Sequence, residues 1–290
     1  MVNSSTMTLI VIVMAFYFIG MIAISWMGRK YGKNFDDFIS AGRNCTTLMI
    51  IGSAVGSHIG NGYVVGGAAS GAAVGLSGAW YGIGCALSYL AVALVLNHRV
   101  YKCGYISLPE ILNARYGEKM TSVIFSVTTA LSYIANIAAQ LMAGKALFEA
   151  LGFNGTLGVW VIAVVVMAYS CISGLWGACA TSVVQVAIII VSLLATFFIV
   201  LGRGAFGLVT EAVANGLAPA SYFDMGADGI AAILITIVPI SLASLCEQCT
   251  VQRITSAKSE KTSFRALILS VIIMIPCALM PACSGMYGYV

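Results

Sequence analysis

Charge is what this sequence has least of. Of its 290 residues only 8% are charged, while 60% are hydrophobic. A soluble domain carries about a quarter charged residues, because its surface must face water. A folded chain of this composition must instead turn its outer surface to lipid, as its mean hydropathy of +1.00 also requires. The short alternating segments of a membrane β-barrel are missing too. Long continuous apolar runs stand in their place, so the sequence reads as an all-α membrane protein.

One helix needs about 20 apolar residues to cross the hydrocarbon core, which leaves room for roughly eight spans with short loops. The expected spans are 7–27, 47–74, 79–97, 120–147, 157–175, 180–201, 229–251 and 266–288. No basic segment precedes the first of them; basic residues follow it. That is the pattern of a permanent span, not of a cleaved signal peptide.

The few basic residues are grouped. Arg29, Lys30, Lys33 and Arg43 fall between the first two spans, and Arg99, Lys102, Arg115 and Lys119 between the third and fourth. Arg253, Lys258, Lys261 and Arg265 fall between the seventh and eighth, leaving only Lys145 and Arg203 on the opposite side. Such asymmetry marks the cytoplasmic face of a cell membrane and places the N-terminus, and the last residue, outside.

Nine cysteines are scattered along the sequence. Cys246 and Cys249 form a CxxC, but no second pair stands at metal spacing, and polarisable packing is the plainer reading. Asn3-Ser4-Ser5 and Asn154-Gly155-Thr156 fit the glycosylation pattern on the expected outer face.

The second span is not an ordinary helix. From Ser53 it reads SAVGSHIGNGYVVGGAASGAAVG, with glycine at 56, 60, 62, 66, 67 and 71. Each glycine costs a helix roughly 1 kcal/mol relative to alanine. Polar and small residues cluster at His58, Gly60, Asn61, Gly62 and Tyr63, near mid-membrane. Two readings remain open on composition: a close-packed central helix, or a broken span whose freed carbonyls and helix ends bind ion and solute.

Several motifs together resemble the sodium:solute symporter family. Asp37-Phe38-Ile39-Ser40-Ala41-Gly42-Arg43 resembles its DF-x-x-AGR stretch, and Leu108-Pro109-Glu110 with Arg115-Tyr116-Gly117 resembles its LPE…R[YF]G element. Tyr169…Ser173-Gly174…Thr181…Gln185 is similar to Y-x-x-x-GG…TD-x-x-Q, and Glu247-Gln248…Gln252-Arg253 to NQ-x-x-x-QR. The order and spacing of these motifs along the sequence carry the likeness.

The resemblance implies an inverted-repeat (5+5) transporter fold with one extra N-terminal helix. On that reading 7–27 is the extra helix, 47–201 holds core helices one to five, and 229–290 holds core helices six and seven of a single multi-pass domain, 1–290. The second repeat is then incomplete and the sequence truncated at its C-terminal end; the family's remaining ion ligands belong to core helix eight. A weak internal symmetry is expected between 47–97 and 229–288.

The implied function is sodium-coupled symport of a small organic solute by alternating access. Gly56 and Ile59 align with residues that offer backbone carbonyls to sodium, a hard cation that prefers oxygen. His58 stands where the sodium/proline symporters carry an aspartate, and Ser182, after Thr181, replaces the aspartate of the ion path. Both losses remove negative charge, which keeps a proton-coupled transporter with His58 as titratable group in view. Gly60, Asn61, Gly62 and Tyr63 are the solute candidates at the break. Tyr133, Asn136 and Gln140 share one face of the fourth span, lining the solute path or bonding neighbouring helices.

Glu247 is the other intramembrane ionisable candidate, read either as a solute ligand or as an acid at the cytoplasmic helix end paired with Arg253 or water. No buried Lys or Arg is expected, so neutral or zwitterionic solutes fit best. Trp26 and Trp80 read as interface anchors, and 202–228 as an external loop.

An enzyme would need an acid–base pair or metal cluster at one depth, and the sequence holds neither HExxH nor GxSxG. A channel would show a filter repeat. A sensor module of the same fold would need a cytoplasmic signalling domain. Besides the coupling ion no cofactor is implied; the expected partners are sodium, the solute and membrane lipid, with nothing that points to nucleic acid.

Overall fold

The computed structural model describes residues 4–31 and 34–289. Lys33 and the Asn3 glycosylation tripeptide's first residue therefore lie outside the described residues. Among the described residues the regular structure is helical, without strands. The helices are α1 (Ser4–Gly28), α2 (Phe35–Ser40), α3 (Thr47–His58), α4 (Asn61–Val74) and α5 (Trp80–Val95). They continue as α6 (Asn97–Cys103), α7 (Leu108–Tyr116), α8 (Lys119–Ala150), α9 (Gly155–Gly202) and α10 (Ala205–Ala214). Last come α11 (Gly229–Leu245), α12 (Gln248–Thr255) and α13 (Glu260–Tyr289).

Among the described residues five helices are long and apolar enough to cross a membrane, or six if the bent pair α11–α12 counts as one span. The difference from eight expected spans lies in how segments join. The second expected span is divided into α3 and α4; α3 alone is too short to cross, and α4 runs on into the third expected span as one apolar stretch, Asn61–Val95. The fifth and sixth follow one another within the 48 residues of α9 without an intervening loop, and are separated by a kink. The expected gap at 176–179 is helical; the break falls at Gly174, with φ 57 and ψ −146. Only glycine adopts that conformation readily.

The helices group into two compact units, Met1–Cys45 with Tyr105–Thr181, and Thr46–Gly104 with Ser182–Val290. In the first unit the family-like motifs act as local structural devices. The AGR residues Ala41, Gly42 and Arg43 are three successive left-handed residues, with φ 56, 56 and 53. Just upstream, the Phe38 carbonyl and ring pack where a side chain on Gly174 would sit, so two separate motifs meet. Tyr31 stacks on Trp176 at 4.6 Å. Pro109 starts α7, Glu110 Oε2 accepts from Ile106 N at 3.0 Å, and left-handed Gly117 ends the helix. Asn154 Oδ1 caps α9 through Thr156 N at 2.9 Å.

In the second unit α13 packs on α4, α5 and α3, and α11 on α5. Small residues make this approach close: a Cβ on Gly71 would strike the Ala282 backbone, and one on Gly285 the Ala68 backbone. The stretch expected to be a loop at 202–228 contains α10 and a strap beyond it. In that strap Tyr222 is fully buried and donates its hydroxyl to Ala72 O. Its own carbonyl accepts from Leu76 N at 2.9 Å. Trp80, expected as an interface anchor, donates Nε1 to Met225 O at 2.6 Å and so holds the same strap.

Candidate functional site

The break between α3 and α4 is written into the backbone hydrogen bonds. In an unbroken helix each amide bonds to the carbonyl four residues earlier. Gly60 N turns instead to His58 O at 2.8 Å, which releases the carbonyl of Gly56. Tyr63 N turns to Gly60 O at 3.1 Å, which releases the carbonyl of Ile59. These are the two carbonyls assigned to sodium by the resemblance. Downstream, α4 begins at Asn61 with Gly60 as its N-cap and no side-chain cap; Gly60 O takes the Tyr63 and Val64 amides, and the helix start has no side-chain acceptor.

A second break lies in the same unit. Helices α11 and α12 meet at 56° across Cys246 and Glu247. Glu247 lies at this bend, two residues past the end of α11, in extended conformation. Its carbonyl accepts from Thr250 N at 3.2 Å, and its Oε2 from Thr250 Oγ1 at 3.3 Å. No glycine or proline marks this site, so the sequence carries no local signal for it.

Gly56 and Ser182, to which the resemblance assigns the ion carbonyl and the ion path, are brought together. A side chain on Gly56 would lie 3.7 Å from Ser182 Cβ and 3.1 Å from Val186 Cγ2. His58 sets its ring edge-on to Tyr89, with centroids 5.0 Å apart. His58 Nε2 is buried without a hydrogen-bond partner. Tyr63, expected to touch solute, is 3% exposed and donates its hydroxyl to Met274 O at 2.7 Å. That bond anchors α4 to α13.

Asn136 and Gln140 belong to the first unit, where both are exposed on α8. Thr181, also in that unit, is buried and bonds back to Gly177 O at 2.9 Å. Among the described residues no group of three His, Cys, Asp or Glu could hold a metal.

One residue at this site escapes the sequence reading. Arg253, placed there in a cytoplasmic basic loop, is 5% exposed. Its Nε donates to Ser53 Oγ at 3.2 Å and its Nη1 to Tyr89 OH at 3.1 Å. The expectation of no buried Lys or Arg is thus overturned: α12 turns this face of the motif inward, and burial of this kind leaves no trace in a local cluster of basic residues.

Known proteins place this arrangement. Residues 38–289 match the sodium:solute symporter family. The sodium/proline symporter of Escherichia coli (strain K12) is 24% identical, across 94% of this chain and 56% of its own length. Sodium/glucose cotransporter 1 of Mus musculus is 28% identical over 65% of this chain and 28% of its own. The 290 residues thus span little more than half of such relatives at most. A solved Na+-coupled sialic acid symporter, in its substrate-bound outward-open state, superposes with a TM-score of 0.78 at 18% identity, over 94% of this chain and 59% of that one. Two broken spans, the ordered motifs and a match over most of the sequence agree: this multi-pass membrane protein belongs to the sodium:solute symporter family.

Proposed function

We propose that the intact gene product couples the inward movement of sodium to uptake of a small organic solute by alternating access. The observation that supports this most directly is the release of the Gly56 and Ile59 carbonyls at the break. Carbonyl oxygens suit a hard monovalent cation, and Gly56 lies beside Ser182, where the ion would leave. The uncapped N-termini of α4 and α12 carry partial positive charge and suit the carboxylate of a zwitterionic solute. Gly60, Asn61 and Gly62 would face that solute, with Glu247 at the second break; Tyr63 anchors the outer half-helix.

The inverted 5+5 architecture draws support from local order: α3–α4 then α5, and α11–α12 then α13, each give a broken span followed by a continuous one. The basic loops would face the cytoplasm, with the N-terminus outside. Uptake into proteoliposomes of the intact product, with choline replacing sodium at fixed pH, tests the coupling. Transport should fall to background in choline; unchanged transport would sink the sodium reading.

A proton-coupled reading has one observation of its own, the buried and unpartnered Nε2 of His58. It predicts uptake that persists in choline and tracks an imposed pH gradient.

A further inference from the structure

Arg253 joins three helices that the symport reading asks to move differently. It sits on α12, the short half-helix after the second break; Ser53 sits on α3, the half-helix before the first break; Tyr89 sits on α5. Tyr89 is fully buried and donates to Ala54 O at 2.9 Å, while its hydroxyl also lies 3.2 Å from Ser57 Oγ. Ser57 in turn donates to Ala54 O at 2.9 Å. One guanidinium therefore closes a series of hydroxyls along the last two turns of α3.

The chemistry suits a clasp. A buried cation is costly unless its donors are satisfied, and here two donors at different edges of the planar guanidinium reach two different helices. A lysine ammonium cannot span both in that fixed geometry. Helix α12 has 8 residues and α3 has 12, lengths at which a helix has little stability of its own and takes its position from its contacts. By contrast α5 packs along both α11 and α13, and serves as the fixed post.

We infer that Arg253 is a positioning residue that clasps the cytoplasmic halves of the two broken spans, α3 and α12, to α5, and that release of this clasp opens the site toward the basic-loop side. The inference rests on the symport reading for its direction of opening. The clasp itself rests on the three-helix network.

The test uses the intact gene product with all nine native cysteines replaced by serine and Gly60→Cys as reporter in the break. Labelling by a membrane-impermeant maleimide is timed separately from each face of sealed vesicles. Arg253→Gln should raise the rate from the basic-loop face by ~5-fold or more, the weight of a typical conformational coupling, and leave the opposite face unchanged or slower. Tyr89→Phe and Ser53→Ala should act in the same direction by smaller factors, with Arg253→Lys between wild type and Arg253→Gln. A wild-type rate for Arg253→Gln overturns the clasp, as does an equal rise from both faces, which marks a loosened fold. Adding sodium to each sample separates the two readings: rates indifferent to sodium count against coupling, while the comparison among variants still decides the clasp.

Discussion

The position that a Gly56 side chain would take lies 3.7 Å from the Cβ of Ser182, so the last turns of the first half-helix and Ser182 are neighbours. On the resemblance, Ser182 stands where the family's motif has an aspartate. Ser182→Asp therefore adds a carboxylate beside the site. The half-saturating sodium concentration of uptake should fall by roughly 3- to 10-fold, since an added charge a few ångströms away contributes on the order of 1 kcal/mol. A sodium titration of uptake reads this directly, and no change would remove Ser182 from the ion path.

His58 separates the coupling ions. Its Nε2 is buried without a partner, and glutamine fills a similar space without titrating near neutrality. Under sodium coupling, His58→Gln should keep uptake that is abolished by choline. Loss of all pH-gradient-driven uptake in His58→Gln, with sodium irrelevant in the parent, would instead establish proton coupling.

Gly174 is held at φ 57 and ψ −146 with the Phe38 ring and carbonyl against it. Gly174→Ala meets both a strained backbone, worth about 1–3 kcal/mol, and a Cβ contact of 2.7 Å with Phe38 Cδ2. The purified variant should unfold several degrees below wild type in a thermal scan. An unchanged midpoint would show that the α2 turn can slide aside.

Tyr222 fastens the strap to the end of α4. Tyr222→Phe keeps the ring and loses the bond to Ala72 O, a net loss of about 0.5–1.5 kcal/mol. Limited proteolysis within 215–228 should quicken by roughly 3- to 10-fold, as expected when local opening limits cleavage. Equal rates would mean that Trp80 and the Leu76 amide hold the strap unaided.

The first break is legible in the sequence because glycine is unfavourable in a helix and six of them crowd one span; the structure puts the interruption at Ile59 and Gly60, inside that crowd. The second break is not, because Cys246 and Glu247 have no conformational signature and only the packing of α12 against its neighbours bends the backbone there. Arg253 is hidden for a related reason. A basic residue among Lys258, Lys261 and Arg265 looks solvated, and nothing local says that one of the four turns inward. Tyr63 shows the converse: polar residues at a break invite a ligand role, yet its hydroxyl is taken up by Met274 O across 211 positions of sequence. Pattern reports periodicity and backbone cost; it does not report which distant carbonyl a hydroxyl will find.

The strap at Tyr222 has a mechanical consequence. Tyr222 bonds to Ala72 near the end of α4 and to Leu76 just beyond it, while Tyr63 at the other end of α4 is tied to α13. Both ends of this half-helix are thus fixed, whereas α3 meets it only through the two residues of the break. The first broken span is then a hinged lever, with one arm clamped at both ends and the other held by its packing on α13 and by the Arg253 network. The pivot includes Ile59, whose carbonyl is released at the break, so any swing of α3 must move the Gly56 carbonyl relative to that of Ile59.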